Sequence, residues 1–130
     1  MLILALILAA FAAALHVLIF WMESIAWRGP LARRTFGPAT DAEVEATAEL
    51  AYNQGFYNLF LAILTALGIA LCASGHVAVG ATLVLAGCGC MLAAASVLLL
   101  SSPHRRGAAI RQGALPLLAV GAMGVARLLG

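Results

Sequence analysis

Two ionisable residues, His16 and Glu23, lie in an otherwise apolar stretch near the start of the chain, and a second apolar stretch opens with the residues AYNQGFYN at 51–58. A histidine can exchange a proton near neutral pH, a carboxylate can hold a cation or a proton, and amides can both donate and accept. Seven residues bring a helix back to within about 20° of one direction while advancing about 10.5 Å. His16 and Glu23 therefore share a face, with Phe20 and Trp27 on the same stripe, but do not touch. In the second stretch Asn53, Gln54, Tyr57 and Asn58 fall at about 0°, 100°, 40° and 140° around a helix, a single sector. Gln112 opens a later apolar stretch, with Pro116 one turn further on. Amides are costly to bury unpaired, and polar groups inside a span turn toward one another. The expected site is one ligand-binding cluster of His16, Glu23, Asn53, Gln54, Tyr57, Asn58 and Gln112, with Trp27 at its rim. Tyr52 and Trp21 also read as interfacial anchors.

That set supports binding more readily than a reaction. Zinc sites use His, Cys and carboxylate ligands, and a histidine and a glutamate seven residues apart among amides do not make one, so no metal is assigned. The chain has no Walker loop, HExxH, GxSxG or CxxC, and no nucleophile with an oxyanion arrangement. Catalytic residues and cofactors stay unassigned. Cys88 and Cys90 read as small hydrophobes, and His76 and His104 as loop residues facing water. Three functions fit the cluster. It could bind a small or lipid-like molecule, in a transporter or an accessory subunit. It could belong to a membrane enzyme acting on a hydrophobic substrate, with His16 or Glu23 as general base. Or it could be interhelical glue in a scaffold.

The elements that must position these residues are set by composition. Of 130 residues, 65% are hydrophobic, 9% are charged and none is lysine. A soluble domain of this size carries roughly 25% charged residues, so the lipid bilayer is part of this chain's solvent. A net charge of +2 does not argue for nucleic acid. Four segments reach the ~20 residues a spanning helix needs: about 2–27, 50–72, 77–100 and 108–129. The fold class is all-α, a four-transmembrane-helix bundle in one integral membrane domain over 1–130. The first span lacks the positive n-region and short core of a signal peptide, so it is expected to stay. Arg28, Arg33, Arg34, Arg105, Arg106 and Arg111 fall on one side and only Arg127 on the other. The positive-inside bias then makes loop 28–49 cytoplasmic and puts both termini outside. Within it, Arg28-Gly29-Pro30 and Phe36-Gly37-Pro38 mark turns, and Thr40-Asp41-Ala42-Glu43 matches a capping box that starts the second long helix. Gly80, Gly87, Gly89, Gly121 and Gly124 offer places for close helix approach. Four short helices enclose little volume, which leaves room for a homodimer.

The series His16, Glu23, Trp27, Phe36, then Asn53-Gln54-Gly55-Phe56-Tyr57-Asn58, then Gln112-Gly113-Ala114-Leu115-Pro116 resembles a family of small bacterial four-span integral membrane proteins catalogued as a domain of unknown function. The resemblance covers nearly the whole chain, and the NQGxYN block is its most specific part. It implies a multi-pass protein of the bacterial inner membrane and carries no mechanism. The chain is also similar, at fold level only, to small multidrug-resistance transporters, which have a membrane-embedded glutamate in their first helix. Glu23 departs from that pattern by lying near the end of its span, as do the long first loop and the amide-rich start of the second helix.

Overall fold

The computed structural model describes residues 1–37 and 39–129; Pro38 of the expected second turn and Gly130 lie outside them. The chain is helical throughout: α1 (Leu2–Phe20), a π-helical turn (Trp21–Ile25), α2 (Pro30–Phe36), α3 (Asp41–Ala73), α4 (Val77–Ser101), a 3₁₀ turn (Pro103–Arg105) and α5 (Arg106–Leu129). Four of these stretches are long and apolar enough to cross a bilayer: Leu2–Ile25, Asp41–Ala73, Val77–Ser101 and Pro103–Leu129. They close into a ring in which α1 packs on α3 and α5, and α4 packs on the same two helices from the opposite side.

The packing is that of a membrane bundle. Lipid is as apolar as leucine, so helices associate through close approach of small residues. Accordingly Ala5, Ala9, Ala12 and Ala119 are fully buried, while Ile3, Phe11, Ile63, Val97 and Leu118 point outward. The α3–α4 contact is the tightest. A Cβ on Gly68 would sit 2.7 Å from the Gly80 carbonyl oxygen, and one on Gly80 2.6 Å from that of Gly68. Gly87 meets Thr65 in the same way, whereas Gly89, Gly121 and Gly124 face open space and serve no close approach.

The connections follow from local chemistry. Thr40 caps α3 in a complete capping box: its Oγ1 accepts from the Glu43 amide at 3.2 Å, and the Glu43 carboxylate accepts from the Thr40 amide at 2.8 Å. Gly75, at φ +92°, ends α3 in a Schellman turn, with the His76 amide donating to the Leu71 carbonyl and the Gly75 amide to that of Cys72. Between α1 and α3 the chain folds back on itself. Trp27 packs against Phe36 with ring centroids 5.7 Å apart and planes tilted by 46°, and donates through Nε1 to the Val44 carbonyl at 3.2 Å. Ion pairs Arg28–Glu45 (2.9 Å) and Arg33–Asp41 (2.6 Å) tie the same segment to the start of α3. They are exposed and each is worth no more than about 1 kcal/mol. Arg111 reaches the Thr35 carbonyl at 3.4 Å, so the 26–40 connection and the α4–α5 junction share one end of the bundle.

Candidate functional site

Glu23 sits in the π-helical turn that continues α1. A π turn is a short departure from α geometry that recurs at functional positions, and this one carries Met22 and Glu23 inward while Trp21 and Ile25 stay exposed. Only 9% of Glu23 is exposed. Its Oε2 accepts a hydrogen bond from Asn58 Nδ2 on α3 at 2.8 Å, and the same amide nitrogen lies 3.2 Å from the Gln54 carbonyl. Next to it, Ser24 Oγ donates to the Tyr52 carbonyl at 2.8 Å. Gly55 makes this register possible. A Cβ there would collide with Ser24 Oγ and come within 3.0 Å of the Ser24 nitrogen and 3.1 Å of Glu23 Cβ.

Beside the carboxylate lies a cleft of about 380 Å³. Its lining joins the buried Glu23 and Asn58 and the half-buried Gln112, Trp27 and Phe36 to the exposed Gln54, Thr47 and Arg105, with Ala94 and Leu98 contributed by α4. Trp27, Phe36, Thr47 and Arg105 also border a second hollow of about 430 Å³ between α2, the start of α3 and the 3₁₀ turn. Gln112 is brought in by α5, where Pro116 lies inside the helix. A proline cannot donate to the carbonyl four residues back, so the Gln112 carbonyl lacks its helical partner. Gly113 packs against α4, since a Cβ there would lie 2.9 Å from Ala95 Cβ.

The sequence-derived cluster is therefore divided. Glu23, Gln54, Asn58, Gln112 and Trp27 come together around one cleft. Asn53 and Tyr57 lie on the outer face of α3, Tyr57 being 67% exposed. The buried line of α3 runs through Ala51, Gly55, Asn58, Ala62, Thr65, Gly68 and Cys72, nearly opposite Asn53. His16 is fully buried and does not border the cleft. Its Nδ1 lies 2.9 Å from the Ala12 carbonyl, which can only accept, so Nδ1 carries the proton; Nε2 has no partner among the described residues. Phe36, Thr47 and Arg105 were not in the expected site. Ser24 was missed as well, though the glycine inside NQG marks the close approach that Ser24 exploits. Among the described residues no three of His, Cys, Asp and Glu gather where they could hold a metal ion.

Four long apolar helices with lipid-facing leucines and isoleucines outside and alanines inside define a small multi-pass membrane protein. Residues 10–124 match the family described as "Protein of unknown function (DUF1304)", and the chain belongs to that family. No curated protein and no solved structure matches the chain. Neither comparison links it to the small multidrug-resistance transporters.

Proposed function

We propose that the protein binds a small amphiphilic molecule in the cleft beside Glu23, with the carboxylate as the polar anchor. The observation that carries this reading is a carboxylate buried inside a membrane bundle, bonded by one neutral amide and bordering a cleft of about 380 Å³. Buried charges in spans are paired or functional, and one amide donor leaves most of a carboxylate's accepting capacity open. The cleft's size lies within the range of small-molecule sites, about 300–1,000 Å³. Gln54, Asn58 and Gln112 orient the ligand's polar group, and Trp27 forms the rim. The arginine-rich end faces the cytoplasm by the positive-inside bias, so the cleft is reached from the inner leaflet. The protein acts there as a transporter or as an accessory subunit of one.

The Asn58–Glu23 and Ser24–Tyr52 bonds also join α1 to α3, which favours interhelical glue as the second reading. Glu23→Gln separates the two, since the amide keeps the volume. Trp21→Phe leaves Trp27 as the single indole, and its emission can be titrated with octylamine, octanol and octanoate in reconstituted vesicles. A saturable response that Glu23→Gln weakens at least tenfold, with melting unchanged, is the expected result. A variant equal to its parent in melting and in all three titrations would sink the binding reading.

A further inference from the structure

The cleft is lined by one acidic and one basic side chain that do not pair with each other. Glu23 and Arg105 both line it, the first buried and the second exposed, and the ion pairs among the described residues are Arg28–Glu45 and Arg33–Asp41 only. Arg105 is the one arginine among the residues that line the cleft, and no ion pair among the described residues occupies it. Arg105 also borders the adjoining hollow, together with His104, which places a second basic group beside it. The rest of the lining includes Gln54, Gln112 and Thr47, which can hydrogen-bond, and the Trp27–Phe36 aromatic pair.

From this arrangement we infer the class of ligand, an inference resting on the binding reading above: a zwitterionic headgroup, with an ammonium seated on Glu23 and a phosphate or carboxylate on Arg105. A buried carboxylate is stabilised by a cation far better than by an amide alone. A guanidinium grips phosphate or carboxylate through two parallel N–H donors. A simple anion would leave Glu23 unmatched and place a like charge near it. A simple cation would leave Arg105 unmatched and share the cleft with that like charge. One molecule carrying both charges satisfies both ends.

The test uses the Trp21→Phe protein in dodecyl maltoside micelles, whose uncharged headgroup does not compete, titrated with lysophosphatidylethanolamine, lysophosphatidic acid, dodecylamine and water-soluble O-phosphoethanolamine while Trp27 emission is followed. Lysophosphatidylethanolamine should bind at least tenfold more tightly than lysophosphatidic acid or dodecylamine. Glu23→Gln and Arg105→Gln should each remove that preference. Arg105 is exposed, so its variant is expected to melt with the parent. If O-phosphoethanolamine matches the lysolipid, the ligand is a free zwitterion; if only the lysolipid binds, it is a lipid headgroup. Both results support the inference. Equal binding of all three amphiphiles, or an Arg105→Gln variant with the parent's preference, overturns it. In that case a remaining dependence on Glu23 would leave the binding reading standing, and loss of any Glu23 dependence would remove both.

Discussion

The seat of Glu23 depends on Gly55, and this can be tested by one methyl group placed at two positions. Gly55→Ala would put a Cβ against Ser24 Oγ, 3.0 Å from the Ser24 nitrogen and 3.1 Å from Glu23 Cβ. The hydroxyl can rotate away, but the backbone nitrogen and the Cβ move only if α1 moves off α3. Overpacking of this kind costs about 1–3 kcal/mol, and two fixed neighbours out of three place Gly55 in the upper part of that range. Replacing glycine by alanine within a helix returns about 1 kcal/mol, so the expected net loss is about 1–2 kcal/mol. Gly121→Ala is the control, because nothing lies within 4 Å of its added Cβ; it should stabilise by up to about 1 kcal/mol. Reversible unfolding in mixed detergent–SDS micelles, followed by circular dichroism, measures both. Moving α1 outward should also stretch the 2.8 Å Asn58–Glu23 bond, so Gly55→Ala should weaken the octylamine response of Trp27. Adding Ser24→Ala should recover part of the lost stability but not all, since the backbone contact remains. A Gly55→Ala protein as stable as its parent, or one indistinguishable from Gly121→Ala, would refute the close-approach argument.

Two further outcomes are expected. With the native cysteines replaced by alanine, a thiol at His76→Cys should react with a membrane-impermeant maleimide added outside, while one at Arg105→Cys should react only after the membrane is opened; the reverse pattern would invert the orientation argued from the arginines. In the native protein Cys90 is exposed on α4 and Cys88 is fully buried, so a lipophilic maleimide should modify Cys90 in the folded state and Cys88 only on unfolding, and equal rates would show that the α4 interface is misassigned.

The four spans were legible because length and apolarity alone fix them, and the start of α3 because a capping box is a local pattern that needs no tertiary partner. His16 and Glu23 both turn inward, as polar groups in a span are expected to, but their seven-residue spacing did not bring His16 to the cleft that Glu23 borders. The inward face of α3 was only half legible. Near a membrane boundary polar side chains are hydrated whichever way they point, so the polarity of Asn53 and Tyr57 did not mark the interior. The line of small residues through Ala51, Gly55, Ala62 and Gly68 is the better guide, because close helix approach selects for size. The π turn, the fold-back of α2 and the arrival of Arg105 at the cleft all depend on contacts between distant segments. No periodicity within one helix announces them.

The Glu23–Asn58 bond also bears on how the protein enters the membrane. A charged side chain at the centre of a span costs about 2.5–3.5 kcal/mol on insertion scales, and less toward the span's end. During synthesis α1 emerges first, carrying a carboxylate whose hydrogen-bond partner has not yet been made. Asn58, Tyr52 and the acidic residues that pair with Arg28 and Arg33 all arrive with α3. The first two spans together are thus the smallest portion of the chain that holds both Glu23 and its amide partner. The side-chain bonds from Glu23 and Ser24 to α3 need nothing from α4 or α5.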